Sequence, residues 1–283
     1  MRQVGNGSIS SAPVGLVGPR LSRLPRWTRA REAARLALPL CFAASAALAS
    51  ELQPITGNPL ILIPGGQFVF GRDDSNANER PRRELDLPSF QMNETEITNA
   101  QYESFVEETA HRPAYYAGHP VLGVADHPVV GVSWFDARDY CTHYGLTLPS
   151  EREFERAARG RSGSLFPWGD GPPAPSRTGH SNPCCASDDS VVYPMTAPVK
   201  TAAAGQSAEG LFDLVGNVWQ WTRDWYAPYE GEPDPKIANK FRVLRGGAWN
   251  SDLAHLSATY RLAYDPNFRY AANGGFRCVR SSE

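Results

Sequence analysis

Apolar residues recur at helical spacing in three segments of the first half of the chain. The segments are residues 96–108, 133–143 and 150–159. Each contains a residue that commonly caps a helix at its N-terminus, namely Thr98, Ser133 and Ser150. In the third segment Glu153 follows Ser150 at the spacing of a capping box. The pattern therefore predicts three short amphipathic helices.

Strand-like patterns are short and are separated by turn residues. Residues 60–70, LILIPGGQFVF, contain an apolar run, a Pro-Gly-Gly turn and a second run, which predicts two strands. Residues 72–83 mix both charge signs without periodicity and are predicted to form a loop. After Gly160, Gly, Pro, Asn and Asp are frequent and periodic segments are scarce. Bound ions or disulfides usually order such a chain.

Residues 210–226, GLFDLVGNVWQWTRDWY, combine aromatic and oxygen-bearing side chains. The three tryptophans do not follow the alternation of a simple strand, and Gly216 interrupts any helix. We predict a sharp turn with the rings packed inward. Asp213, Gln220 and Asp224 bring oxygen atoms near this turn, and calcium collects such oxygens in irregular loops. A turn held by Asx hydrogen bonds, without an ion, is the alternative.

The first fifty residues differ from the rest of the chain. They hold seven arginines and one acid, Glu32, and residues 36–49 are uncharged and end in Ala-Leu-Ala. This run is too short to cross a bilayer comfortably, and its end is a small-x-small cleavage pattern. We predict a signal peptide over 1–50, cleaved near Ala49, and one periplasmic or secreted domain over 51–283. The alternative is an uncleaved membrane anchor, which the alanine-rich end disfavours; after cleavage we expect no stable membrane association.

Charge and cysteine count narrow the function classes. Removal of the predicted signal, with its seven arginines and one glutamate, changes the formal charge from −2 to −8. Such a chain carries no electrostatic footprint for nucleic acid. Four cysteines remain, Cys141, Cys184, Cys185 and Cys278, and an even count in an exported protein indicates disulfides. Three pairings are possible from the residues alone.

Eight motifs occur in order between residues 58 and 280. They are PGGQFVFG with ERP after it, ETEITNAQYESFV, HPVVGVSWFDARDYC, LPSEREFERAARG, FPWGD, GLFDLVGNVWQWTRDWY, RVLRGGAW and GGFRCVR. Together they resemble the formylglycine-generating enzyme family, also called the sulfatase-modifying factors. The resemblance implies a single α+β domain, similar to C-type lectins in topology, with little regular secondary structure and with bound calcium. It is less specific for activity, because function depends on the site that a fold carries.

The resemblance also implies a calcium site in the GN-x-W loop. The ligands here are expected to be Asp213, the carbonyls of Gly216 and Val218, and Gln220. The family usually has Glu at the last of these positions, so one negative charge is lost and weaker calcium binding is expected. A second family site would use Asn182, where the spacing of this chain departs from the pattern.

A disulfide is implied by the same resemblance. Family members with a cysteine in the second predicted helix pair it with the cysteine of the GFRC motif, which gives Cys141 and Cys278 here. The bridge would close a long loop and stabilise the fold by about 4 to 5 kcal/mol in the chain-entropy model. Cys184 and Cys185 then remain as neighbours, either in a strained vicinal disulfide or as two thiols.

The decisive departure from the family lies after the RGGAW motif. Formylglycine-generating enzymes have two copper-binding cysteines there, and thiolates suit Cu(I) because they are soft ligands. The matching positions in this chain are Ser251 and Leu256, and neither supplies a thiolate. We therefore expect no copper and no conversion of cysteine to formylglycine.

The cleft that remains holds aromatic and amide side chains. The candidate residues are Trp219, Trp249, Asn250, Ser251, Asp252, His255 and Asn273. His255 could act as a general base, with Asp252 or Ser251 beside it. An isolated histidine and a capping aspartate are the ordinary alternatives. Three arginines are expected to form structural ion pairs under the calcium loops: Arg245, Arg261 and Arg277.

Three function classes follow. The favoured class is a periplasmic oxidase of this fold that matures a secreted siderophore, by oxidation of the pyoverdine chromophore, and acts on a small-molecule or peptide-derived substrate. Exported single-domain family members with this role resemble the chain, and an aromatic cleft suits a flat conjugated ligand. A non-catalytic lectin-like binding module is the second class. A sulfatase-activating enzyme is the third, which Ser251 and Leu256 disfavour.

Overall fold

Secondary structure is short throughout the computed structural model, which describes residues 57–178 and 193–281. The helices are α1 Asn99–Thr109, α2 Trp134–His143, α3 Glu151–Arg159 and α4 Pro175–Thr178. The strands are β1 Leu60–Ile63, β2 Gly66–Phe70, β3 Arg83–Leu87, β4 Phe90–Asn93, β5 Trp219–Trp225, β6 Arg242–Arg245, β7 Arg261–Tyr264, β8 Gly274–Gly275 and β9 Val279–Ser281. No helix in these two ranges has the length and apolar character of a membrane span. The predicted signal peptide, Asn182, Cys184 and Cys185 lie outside the described residues.

The three predicted helices begin at their predicted caps. Thr98, Ser133 and Ser150 each accept a hydrogen bond from the backbone N–H three residues later. The side chain of that later residue bonds back to the backbone of the cap in every case, which completes a capping box. These bonds satisfy N–H groups that a helix N-terminus otherwise leaves without partners.

In the described residues the strands form three small sheets. β4 pairs with β1 and β9, β2 pairs with β3, and the largest sheet has the order β7-β6-β5-β8 with β8 parallel to β5. The two strands predicted within residues 60–70 therefore exist but take different partners. The segment predicted as a charged loop ends in β3, where Arg83 is paired with Phe70.

The tryptophan-rich segment is a strand, so the prediction of a non-strand turn was wrong for this part. The first four residues of β5, Trp219 to Thr222, do alternate apolar and polar side chains and are all buried, but Arg223 interrupts the alternation. The register to β6 also shifts between Trp221 and Trp225, which breaks the two-residue period. The predicted inward packing is correct for Trp221, which is 1% exposed.

A buried apolar cluster joins α1 and α2 to the four-stranded sheet. It contains Tyr102 from α1, Tyr140 from α2 and Trp221 from β5. Cys141 of α2 and Cys278 also lie in this cluster and form a disulfide that spans 137 positions of sequence. This is the pairing implied by the family resemblance. The bridge ties α2 to the segment just before β9.

Candidate functional site

The loop that leads into β5 turns sharply, as predicted. Asp213 and Asn217 have φ angles of 56° and 57°, and Gly216 has a φ of 98°. Such left-handed conformations are costly for residues other than glycine. Buried hydrogen bonds offset the strain: Asp213 Oδ2 accepts from the Lys200 N–H at 2.8 Å, and Asn217 Oδ1 accepts from the Ala197 N–H at 3.0 Å. The loop is therefore held by its own side chains.

Glu96 is a buried carboxylate beneath this loop that sequence reasoning did not single out. Its oxygens accept from the side chain of Asn217 at 2.8 Å and from the Val218 N–H and the side chain of Gln220 at 3.3 Å each. Burial, with the nearby Asp213 carboxylate, raises the pKa of Glu96 well above its ordinary value. The only feature of the sequence that could have pointed to Glu96 is its position between β4 and Thr98, the cap of α1.

Arg277 places a positive charge beside these acids. Its guanidinium is fully buried, and its Nε donates to Gln220 Oε1 at 2.6 Å. The other two nitrogens donate to the backbone carbonyls of Asn93, Glu94 and Phe212 at 3.2, 3.3 and 2.7 Å. Burial lowers the pKa of Arg277 below its ordinary value, although the neighbouring carboxylates oppose that effect. The guanidinium thus lies in a cage of oxygens, where an ion pair had been predicted.

Gln220 does not fit the calcium site that the sequence predicted. Its oxygen accepts from Arg277, and its nitrogen donates to the Asp213 carbonyl at 2.7 Å. Reversal of the amide would turn N–H groups toward the guanidinium and the oxygen toward Glu96, so the partners determine the orientation. A calcium ligand must present an oxygen, and the side of Gln220 that faces Asp213 presents an N–H. Among the residues described, no three His, Cys, Asp or Glu side chains converge as a metal site.

The other two arginines form the ion pairs that were predicted, but with α3. Arg245 donates to Glu151 at 2.8 Å and to Glu155 at 2.6 Å, and Arg261 donates to Glu151 at 2.5 Å. Burial raises the pKa of Glu151, but the two guanidinium groups outweigh it and hold this pKa below its ordinary value. The network fixes β6 and β7 against α3 and so supports the segment between these strands.

That segment, residues 246–260, carries Ser251 and Leu256, the positions at which the family resemblance implies copper ligands. Ser251 is buried and its Oγ accepts from the Ala248 N–H at 2.9 Å, which closes a turn. Leu256 is also buried and belongs to the apolar cluster around α3. A Cβ on Gly247 would come within 2.8 Å of Leu256 Cδ2, so the leucine packs directly on the glycine pair. Both positions are thus occupied by side chains that hold the fold and cannot bind Cu(I) as thiolates do.

Several predicted cleft residues do come together. Trp249 is half-buried and its Nε1 donates to the Ala272 carbonyl at 3.2 Å. The exposed Asn250 accepts through its side-chain oxygen from Asn273 Nδ2 at 2.8 Å. Trp219 is buried, and its backbone N–H donates to the Asn273 carbonyl at 2.8 Å. Two tryptophans and two asparagines thus surround one stretch of backbone that ends at Asn273.

His255 is not hydrogen-bonded to Asp252 or Ser251 in the way that its role as a general base would need. In the described part of the chain its ring has no hydrogen bond to Asp252 or Ser251; the only bond with Asp252 joins its backbone N–H to the Asp252 carbonyl at 2.9 Å. The His255 ring instead contacts the ring of Tyr260, with centroids 4.5 Å apart. Tyr260 also lies 5.8 Å from Trp219 and was missed from sequence, where nothing distinguished it from a core tyrosine.

Comparison with known protein families gives a match over nearly the whole chain. A family model described as the sulfatase-modifying factor enzyme 1-like domain matches residues 45–282. Its range includes all described residues and every candidate residue of the cleft.

Two curated relatives differ in how much of their own length the chain covers. The serine/threonine-protein kinase Pkn1 of Chlamydia trachomatis is 33% identical over 262 residues, which are 81% of this chain and 40% of the kinase. The chain thus spans well under half the length of that relative. The formylglycine-generating enzyme of Mus musculus is 29% identical over 303 residues, which cover 82% of this chain and 77% of the enzyme.

A solved structure shares the fold at low identity. PvdO from Pseudomonas aeruginosa superposes with a TM-score of 0.63 and 22% identity, over 79% of this chain and 94% of PvdO.

Proposed function

The chain belongs to the sulfatase-modifying factor family, and we propose that it acts in the periplasm as an oxidase that completes the chromophore of a secreted siderophore. The observation that carries this proposal is the pair Ser251 and Leu256. Both are buried parts of the fold at the positions where the family resemblance implies copper-binding cysteines, and the half-buried Trp249 lies two residues before Ser251. Oxidation of a cysteine to formylglycine by the copper-dependent route is therefore disfavoured.

The proposed reaction removes two hydrogens from a reduced, conjugated precursor. Two electrons and two protons pass to dioxygen, which becomes hydrogen peroxide, and a new double bond extends the conjugation of the product. In this proposal the half-buried Trp249 and the ring cluster of Tyr260 with Trp219 contact the flat ring system of the precursor. The amide pair of Asn250 and Asn273 supplies donors and acceptors for the polar edge of such a ring.

The fold is compatible with the proposed oxidase but does not identify its substrate. The chain shares its fold with PvdO, and the sequence resembles exported single-domain members linked to pyoverdine maturation. We also propose that the predicted signal over residues 1–50 directs the chain to the periplasm. Calcium through Gln220 is not part of this proposal, because Arg277 already occupies its oxygen.

The decisive experiment uses purified protein and the reduced siderophore precursor. We expect oxygen consumption, hydrogen peroxide in equal amount and the appearance of chromophore fluorescence. Trp249→Ala should slow all three, whereas the matched surface variant Leu62→Ser should not, since Leu62 is 60% exposed on β1. Deletion of the gene should abolish the fluorescence of the culture medium; unchanged fluorescence contradicts the proposal.

A lectin-like binding module is the second candidate. It is favoured by the isolation of His255, since the described cleft contains no hydrogen-bonded acid–base pair around it. Tight binding of the precursor without oxygen consumption would favour this candidate over the oxidase. A sulfatase-activating enzyme would instead convert the cysteine of a sulfatase peptide, which we do not expect.

A further inference from the structure

A small cavity lies at the N-terminus of α3, and none of the candidate cleft residues lines it. Its volume is about 190 Å³, and its charged lining residues are Arg83, Arg152, Arg261, Glu151 and Asp224. We call it the arginine cavity. Pockets that enclose a whole organic ligand usually measure about 300 to 1,000 Å³. The arginine cavity therefore suits a small ion or one polar group of a larger molecule.

Positive charge exceeds negative charge around the arginine cavity. Glu151 is already neutralised, because Arg245 and Arg261 both donate to it. Arg245 also pairs with Glu155, which Arg159 contacts at 2.7 Å. The charged lining residues and their ion-pair partners thus comprise five arginines and three carboxylates, a surplus of two positive charges. Such a surplus attracts an anion, whose charge relieves the repulsion among the guanidinium groups.

Arg83 supplies unused hydrogen-bond donors to this cavity. Within residues 57–178 and 193–281 its guanidinium has no ion pair and no hydrogen bond, and its Nε is buried without a partner. The guanidinium carbon lies over the rings of Phe70 and Tyr229, 5.6 and 5.5 Å from their centroids. Stacking on rings uses the face of a guanidinium and leaves the N–H groups in its plane, where an oxyanion accepts them in pairs. Arg83 is therefore held by two rings with its donors available.

Asp224 and Arg152 are the two lining residues that remain. Asp224 Oδ2 accepts from the N–H of Glu151, the first residue of α3, at 2.6 Å. Burial, and then the charge of Glu151, raises the pKa of Asp224 above its ordinary value. Arg152 is exposed and forms no ion pair with any described residue. Two arginines without an ion pair thus line the cavity against one such carboxylate, so the charge left uncompensated is positive.

We propose that the arginine cavity binds an oxyanion group, namely a carboxylate, a sulfate or a phosphate, through Arg83 and Arg152. Arg83 donates paired hydrogen bonds from a position that the two rings fix in advance, so little freedom is lost on binding. The exposed Arg152 adds a second positive charge. This second binding site goes beyond the proposed oxidase function and does not depend on it.

The test is titration calorimetry of the purified protein with sodium sulfate, sodium phosphate and sodium acetate, each at constant ionic strength in chloride. At least one of the three anions should bind saturably. Arg83→Gln should lower that affinity at least about tenfold, which corresponds to about 1.4 kcal/mol, and Arg83→Lys should lower it less because the charge remains. Asp224→Asn keeps an oxygen acceptor for the Glu151 N–H and removes the opposing charge, so the affinity should rise. Arg152→Gln changes an exposed side chain and should also weaken binding, which keeps the test informative where Arg83→Gln fails to fold.

Arg138→Gln is the matched control. Arg138 also lies over two rings, those of Trp134 and Phe135, at 5.5 and 5.2 Å, but Asp139 pairs with it. This variant should bind the anion as wild type does. A preference for sulfate or phosphate assigns the site to a tetrahedral oxyanion, and a preference for acetate assigns it to a carboxylate; both results support the site. Absence of saturable binding for all three anions overturns the proposal, and so does equal affinity of wild type and a folded Arg83→Gln variant.

Discussion

Gln220 offers a direct test of the calcium site that the family resemblance implies. Its oxygen accepts from the buried Arg277, and its nitrogen donates to the Asp213 carbonyl and to Glu96. We expect the wild-type protein to keep its melting temperature when a strong calcium chelator is added, because no calcium ligand is expected from Gln220. Two substitutions at this position then separate the role of the amide from the role of a cation.

Gln220→Met keeps the approximate volume and removes the hydrogen bonds. It leaves the Nε of Arg277 without its acceptor and takes one donor from Glu96. Hydrogen bonds to charged groups are worth about 1.5 to 3 kcal/mol each, so we expect a loss of about 3 kcal/mol in the free energy of unfolding. For a domain of this size that corresponds to roughly 6 to 12 °C in melting temperature. Calcium should not restore it.

Gln220→Glu keeps an acceptor for Arg277 but turns an oxygen toward the Asp213 carbonyl, where the amide nitrogen now lies 2.7 Å away. The second negative charge also faces Glu96, whose pKa is already raised by burial. We expect this variant to be less stable than wild type in chelator and to recover when calcium is added, since the added carboxylate restores a family ligand. We therefore expect calcium dependence in this variant and none in wild type.

Thermal unfolding of the three proteins, each with chelator and with excess calcium, is the assay. The melting temperature of wild type should be the same in chelator and in calcium. Gln220→Met should melt at a lower temperature in both conditions. Gln220→Glu should melt at a lower temperature in chelator, and calcium should raise it again. A wild-type protein that loses several degrees in chelator would refute the reasoning, because an ion would then hold the loop in spite of Arg277.

Three further outcomes are expected from the described contacts. Joint replacement of Cys141 and Cys278 by Ala should lower the free energy of unfolding by about 5 kcal/mol in the chain-entropy model, for a sequence separation of 137, as measured by urea titration; a loss under about 1 kcal/mol contradicts that model. Arg245→Met should cost about 3 to 5 kcal/mol because it leaves buried carboxylates unpaired, whereas Arg138→Met, which breaks a half-exposed pair, should change stability by less than about 1 kcal/mol. Asp136→Asn should cost about 2 kcal/mol at neutral pH through lost charged hydrogen bonds. Burial raises the pKa of Asp136, but Arg112 and Ser133 outweigh it and hold this pKa below its ordinary value; the advantage of wild type should therefore shrink as the pH falls through that folded value, and a constant difference down to pH 2 contradicts the assignment.

Local features were predicted well from sequence. The caps Thr98, Ser133 and Ser150 were predicted and confirmed, because a capping box depends on residues three positions apart. The sharp turn before β5 was also predicted, because Gly216 readily adopts a left-handed conformation and this preference belongs to a single residue. The disulfide between Cys141 and Cys278 came from the family resemblance, since the residues alone allowed three pairings.

The character of β5 and of the cleft could not be predicted in this way. β5 alternates apolar and polar side chains only from Trp219 to Thr222, and the shift of its register to β6 beyond Trp221 depends on a strand that lies further along the chain. His255 and Asp252 are close in sequence, yet their side chains do not meet, whereas His255 and Tyr260 do. The rings of Tyr115 and Tyr270 also lie 4.7 Å apart, although the two residues are far apart in sequence and gave no common pattern.

The sequence by itself thus determined three of the described helices, their caps, the family and the absence of cysteine from residues 246–260, because each depends on residue type at a local position. Only the tertiary structure decided what the remaining side chains do. Gln220 looked like a weakened calcium ligand until Arg277, from the last part of the chain, was found against its oxygen. An amide has a donor end and an acceptor end, and which end faces a site is determined by the partners that folding brings to it.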